Sequence, residues 1–291
     1  MHPENQQIHG MLNALYARTR GFVGFVDESY RESGRDGFAF YTVTATVLSA
    51  SDLQRRRDQY FAVVGGNRWH TTEMNQRGMD SKILEFLTVL ATHDVTTMVT
   101  VQVGMRPGTL EHARRECLIQ MVSRLASAGC DLVVYERRED RKARNADEAL
   151  LSRAKKDSLI PRTIRVFPGS PGAENLLWGP DLAGWAFRRL LAVGERNWVW
   201  PLHKYLEIID VSASGALKRK GPQPAAAMGS GPDSSVGPED EVKNRSSSSS
   251  MAHHAELMQR ILTIVPAVTS PLHEPPVLSD WLHGQFPGPK Y

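Results

Sequence analysis

Gly21-Phe22-Val23-Gly24-Phe25-Val26-Asp27-Glu28-Ser29 reads as an apolar strand that runs directly into two acids and a hydroxyl. Aromatic and β-branched residues fill its first half, as a buried strand requires. A carboxylate at the end of such a strand is held by the sheet and not by a loose loop. Two later stretches repeat the theme. Asp131-Leu132-Val133-Val134-Tyr135-Glu136 is a second apolar strand ending in an acid, and Gly179-Pro180-Asp181-Leu182-Ala183-Gly184-Trp185-Ala186 opens a helix with a third. Three acids on three rigid elements suggest one shared site for a hard divalent cation such as Mg²⁺.

The remaining elements follow by working outward. Residues 38–48 are β-branched and aromatic and follow a Gly-containing turn at 32–37, so they form the antiparallel hairpin partner of the first strand. Ser51 and Asp52 offer N-cap chemistry for a helix to about residue 64. Asp80 or Ser81 does the same for 82–92, where Ile83, Leu84, Phe86, Leu87 and Leu90 follow helical spacing. These two helices form an insertion after the second strand. A third strand at 95–103 leads through Pro107-Gly108-Thr109 into a helix at 110–128, with Gly129 as its stop. After the Glu136 strand come a helix at 147–159, a strand at 163–167, a loop through Ser170-Pro171-Gly172 and the helix that begins near Asp181. The order predicts an α/β fold with a mixed five-stranded sheet and flanking helices.

The chain has 291 residues and is 41% hydrophobic, enough for one substantial core. The reading divides it into an N-terminal extension (1–20), one domain (21–211), a linker (212–250) and a C-terminal tail (251–291). The linker is dominated by Gly, Pro, Ala, Ser and charges and ends in five serines, so it is expected to be disordered. The tail is proline-rich with scattered Trp281 and Phe286 and offers a segment for a protein partner. Cys117 and Cys130 are the only cysteines and have no zinc-like spacing, which argues against a disulfide scaffold and for a reducing compartment. No run approaches the roughly 20 apolar residues a membrane helix needs. A cytoplasmic protein without a membrane partner is expected.

With the insertion set aside, the element order resembles the ribonuclease H-like fold. The motifs Val26-Asp27-Glu28-Ser29 and Gly179-Pro180-Asp181-Leu182-Ala183-Gly184 resemble the two signatures of the uncharacterised bacterial "DES…ADL" proteins, domain-of-unknown-function family 3800. The likeness covers residues 21–193. The family usually has Ala before the second Asp where this chain has Pro180, a residue that suits a helix start. The resemblance implies that Asp27, Glu136 and Asp181 converge as catalytic carboxylates on Mg²⁺ or Mn²⁺, and that the chain processes phosphodiesters of DNA or RNA.

Each acid also has a plainer account. Asp27 could bond backbone amides at a turn, and Asp181 could simply face the positive end of a helix dipole. Glu136 opens the charged run Glu136-Arg137-Arg138-Glu139-Asp140-Arg141, and such runs are usually solvated. Glu28 should point to the opposite strand face from Asp27. Glu28, His70, Glu73 and Glu111 are candidate supporting groups beside the ligands, with His70 a candidate proton shuttle. Arg153, Lys155, Lys156, Arg188 and Arg189 are candidates for holding a nucleic-acid backbone, because the near-neutral net charge of +3 hides clustered basic residues. The expected function is a metal-dependent nuclease. The competing expectation is a non-catalytic nucleic-acid-binding or interaction module of a mobile-element or phage-defence system.

Overall fold

The computed structural model describes residues 2–32, 38–106 and 108–211. The linker and the C-terminal tail expected at 212–291, and residues 33–37 of the expected turn, lie outside the described residues; every strand and helix named above has a counterpart.

Six strands form one sheet: β1 (Phe22–Arg31), β2 (Phe40–Ser49), β3 (Thr96–Val103), β4 (Cys130–Glu136), β5 (Arg165–Gly169) and β6 (Leu206–Asp210). Their order is β5-β4-β1-β2-β3-β6. Strands β1, β2 and β3 pair antiparallel, whereas β4 runs parallel to β1 and β5 parallel to β4. An antiparallel three-stranded unit continued by parallel crossover strands on the β1 side is the ribonuclease H-like arrangement. The expected five strands become six because β6 adds in parallel to the outer edge of β3. Its five residues are too few to show a period in sequence.

The sheet is covered on both faces. One layer holds α1 (Pro3–Tyr16), α2 (Leu53–Val64), α3 (Thr71–Gln76), α4 (Asp80–Leu90) and α7 (Trp178–Val193); the other holds α5 (Leu110–Ser127) and α6 (Arg141–Lys156). Strand β2 is buried along nearly its whole length, as a central strand sandwiched between helices must be. In β1, Val23 and Phe25 face the α7 layer and Val26 faces the α5 layer. Gly24 lets α5 approach, because a Cβ there would lie 2.9 Å from Leu125 Cδ1. Residues 3–16, expected as an extension, are the helix α1, which buries Ile8 and Leu12 in the α7-side core.

Three helix boundaries differ from expectation. The insertion contains three helices, because the six-residue α3 is too short to announce itself by amphipathic spacing. Helix α6 starts at Arg141, not 147, since Asp140 accepts a hydrogen bond from Ala143 N (2.7 Å) and caps the charged run. Helix α7 starts at Trp178, which places Pro180 and Asp181 inside its first turn.

Candidate functional site

Strand pairing creates the site. β1 pairs with β2 as far as Arg31, but its parallel pairing with β4 ends at Val26↔Tyr135. From Asp27 onward β1 and β4 part, and a cavity of about 280 Å³ opens between them and α7. Clefts outside the carboxyl ends of parallel strands, as here beyond Val26 and Glu136, are the usual ligand positions of open α/β sheets.

Asp27, Glu28, Glu136 and Asp181 all line this cavity. Asp27 comes from β1, Glu136 from the last position of β4 and Asp181 from the first turn of α7. Helical spacing lines up Trp178, Asp181, Trp185 and Arg188 on the same wall, one turn apart. Tyr30, Trp69, His70 and Pro171 complete the rim and walls. The two glycines of the Gly179-to-Gly184 motif act in packing. A Cβ at Gly179 would sit 2.8 Å from Tyr60 Oη and one at Gly184 3.2 Å from Thr44 Oγ1, so both bring α7 close to its neighbours.

The three carboxyl groups perturb one another. Burial pushes Asp27 well above the usual carboxylate range, and the charges of Glu136 and Asp181 push it further. Glu136 is raised to about 7, first by burial and then by the charge of Asp181, against a hydrogen bond with Asp27 that lowers it. Asp181 is also raised by burial, although two hydrogen bonds oppose the shift. Those bonds come from the insertion: Thr71 N (2.9 Å) and Thr71 Oγ1 (2.7 Å) both donate to Asp181 Oδ2. Trp69 Nε1 in turn donates to Thr71 Oγ1 (2.8 Å), which orients the hydroxyl proton toward the carboxylate.

Glu28 turns to the α5 layer. It accepts hydrogen bonds from Tyr41 Oη and from Arg114 Nε (2.8 Å). Arg114 and Arg138 both clamp Asp147, which is 1% exposed, and Arg138 reaches Glu111 at 2.5 Å. This buried ionic network braces the β1 end from behind Asp27. Glu111 is thus tied to Arg138 and does not line the cavity. Glu73 pairs with Arg68 (2.7 Å) and also stands off it. His70 is exposed and does line it.

Of the basic candidates, Arg188 alone lines the cavity. Arg189 pairs with Glu195, while Arg153, Lys155 and Lys156 sit on α6 in the opposite layer, where Lys155 Nζ donates to Ile164 O (2.7 Å). Thr71, Trp69, Tyr30, Trp178 and Trp185 escaped the sequence reading. Trp178, Trp185 and Arg188 were legible as positions −3, +4 and +7 from Asp181 on one helix. Thr71 directly follows the candidate His70, but nothing in sequence ties it to Asp181, 110 residues away.

An all-carboxylate donor set suits Mg²⁺ or Mn²⁺ and not a softer ion. Mutual repulsion that raises the pKa values is what a bound cation would relieve. Among the described residues no three His, Cys, Asp or Glu side chains stand ready in ligating arrangement. Both cysteines are free and buried, with thiols pushed up to about 12 by burial, so thiol chemistry is excluded from the site. No helix among the described residues is long and apolar enough to cross a membrane.

No family model and no curated protein matches the sequence. Among solved structures, the chain is similar to Bst-RNase HIII in complex with Mn²⁺, at 14% identity and a TM-score of 0.35, covering 62% of this chain and 58% of that one. It is also similar to RNase HII in the PCNA:RNase HII complex from Archaeoglobus fulgidus, at 13% identity and a TM-score of 0.36, covering 68% of this chain and 87% of that one. The match thus spans less than two thirds of the ribonuclease HIII chain. At these scores the assignment of the fold rests on the strand order.

Proposed function

We propose that this chain is a divalent-metal-dependent nuclease, or a closely related enzyme that processes nucleic-acid phosphodiesters. The observation that carries the reading is the meeting of Asp27, Glu136 and Asp181, from three separate elements, in one cavity where each raises or feels the charge of another. A structural role would scatter such acids to solvent or pair them with bases. Among the described residues Arg188 shares their cavity without an ion pair to any of them. The Asp27-Glu28-Ser29 and Gly179-to-Gly184 motifs support membership of domain-of-unknown-function family 3800.

Asp27, Glu136 and Asp181 would hold Mg²⁺ or Mn²⁺. When bound, the ion would acidify an attacking water and neutralise charge on the phosphate oxygens. The protein's part is positioning. Thr71 fixes one oxygen of Asp181 and leaves the other free for ligation. His70, exposed at the rim, would pass a proton to the departing oxygen. The Glu28 network keeps β1 from moving as charge is exchanged.

The test is thermal unfolding with and without Mn²⁺, paired with cleavage of end-labelled oligonucleotides. Mn²⁺ at about 100 times its Kd should stabilise wild type by about 2.7 kcal/mol. Asp27→Asn and Asp181→Asn should lose that gain and all cleavage. Identical Mn²⁺ responses in the three proteins would instead point to a non-catalytic nucleic-acid-binding module.

A further inference from the structure

Asp27 and Ser29 alternate with Glu28 on β1, so both face the α7 layer, as Val23 and Phe25 do before them. Helix α7 packs along β1 and β2, and its glycines give its course. A Cβ at Gly179 would lie 3.2 Å from Thr46 Oγ1, and one at Gly184 3.2 Å from Thr44 Oγ1. Thr46 pairs with Phe25, Thr44 with Asp27 and Thr42 with Ser29. From Gly179 to Gly184, therefore, α7 advances in the direction of β1, from the level of Phe25 to that of Asp27. Asp181 falls within this interval, beside Asp27. Arg188 lies one turn beyond Gly184, a rise of about 6 Å, and the step from Asp27 to Ser29 is about 7 Å. The helix thus carries Arg188 to the level of Ser29, one step past the acids, and both residues line the cavity that the acids line.

Neither side chain has a partner among the described residues. The Ser29 carbonyl accepts from Thr42 Oγ1 (2.9 Å), but the Ser29 hydroxyl makes no hydrogen bond among them. Arg188 is half-buried and makes neither a hydrogen bond nor an ion pair among them. Its neighbour Arg189 shows the usual alternative, paired with Glu195 and lying over the Trp185 ring. A partly desolvated guanidinium without an acceptor is costly, and a phosphodiester supplies oxygens that match its planar fork. A serine hydroxyl at the same level can donate to that group as well. The step from the acids to this pair is about the spacing of successive phosphates along a polynucleotide strand.

We infer that Ser29 and Arg188 form a second subsite, which holds the phosphodiester next to the one at the acids. This rests on the nucleic-acid reading proposed above and adds the course of the strand, from Asp27 toward Ser29 along β1 and α7.

The experiment is fluorescence anisotropy of the full chain with end-labelled dT10, rU10, a blunt DNA duplex and an RNA/DNA hybrid, over a series of salt concentrations. Chelator is present throughout, so that cleavage plays no part, and the variants are measured on the probe that wild type binds most tightly. Arg188→Ala should weaken binding about ten-fold or more and lower the slope of log K against log salt by about one. Arg188→Lys should restore that slope but only part of the affinity, because the ammonium lacks the planar fork. Ser29→Ala should weaken binding about 3- to 10-fold and leave the slope unchanged, since the hydroxyl carries no charge. Because both side chains serve one phosphate, the double variant should lose less than the product of the two single losses. Unfolding curves of each variant establish that it is folded. A salt slope for Arg188→Ala equal to that of wild type, or single losses that multiply in the double variant, would overturn the subsite and leave the nucleic-acid reading standing. Failure of every probe to bind wild type would overturn both.

Discussion

Replacing Glu136 by Gln should make the metal-free protein more stable at neutral pH and leave it unchanged in acid. The Glu136 carboxyl is raised from an ordinary 4.5 to about 7 by burial and by Asp181. A folded-state pKa above the unfolded value means that the folded protein binds the proton more tightly. The stability held below pH 4.5 is therefore lost progressively as pH rises through about 7. The difference between about 7 and 4.5, at about 1.36 kcal/mol per pH unit, is about 3 kcal/mol. Glutamine keeps the shape and a hydrogen bond to Asp27 but carries no charge, so it escapes this loss. Since Asp27 and Glu136 titrate together, the increment belongs to the pair. At about 2–4 °C per kcal/mol for a chain of this size, Glu136→Gln should raise Tm by roughly 6–12 °C at pH 8 and by almost nothing at pH 4.5. Urea unfolding in a chelating buffer across this range gives the profile directly. Adding Mn²⁺ at pH 8 should then narrow the gap by stabilising wild type alone. A Tm difference independent of pH would refute the claim that Glu136 sits desolvated beside other acids.

Further outcomes follow from the same geometry. Thr71→Val keeps shape but removes the hydroxyl bond to Asp181, and should weaken Mn²⁺ binding about 10- to 100-fold by calorimetry, with Thr71→Ser restoring it. Asp147→Asn leaves Arg114 and Arg138 facing a neutral amide in a buried network and should cost about 3–5 kcal/mol in denaturant unfolding; a loss below about 1 kcal/mol would mean the network is idle. Gly179→Ala drives a Cβ to 2.8 Å from Tyr60 Oη and should cost about 1–3 kcal/mol. Gly184→Ala meets Thr44 only at 3.2 Å, and the helix-propensity gain of about 1 kcal/mol should bring it near neutral in the same assay.

Local pattern alone was enough to place β1, β2, β4 and α5, because long apolar runs with β-branched residues, or apolar residues at helical spacing, leave few other burial solutions. The same pattern put Glu136 at the end of a buried strand and Asp181 at a helix start, and both positions were legible because a buried element rarely ends in an acid by accident of composition. Asp27, also read as a strand end, lies inside β1, which runs on to Arg31 along β2. Chain order also implied the antiparallel β1–β2 hairpin and the crossover to β4.

Only tertiary structure decided the rest. β6 and α3 are too short to carry a period, and they exist because β3 offers an open edge and Asp181 an acceptor for Thr71. The run 136–141 looked solvated, yet Arg138 folds back onto Asp147, since the charges of Arg114 and Asp147 meet only when α5 and α6 pack on one face. Which basic residues reach the acids was likewise undecidable from sequence. Charge clustering along the chain says nothing about layer, and α6 lies behind the sheet while Arg188 lies on the wall in front of it. Side-chain type and period are properties of neighbours in sequence, whereas a site is a property of neighbours in space, fixed here where β1 parts from β4.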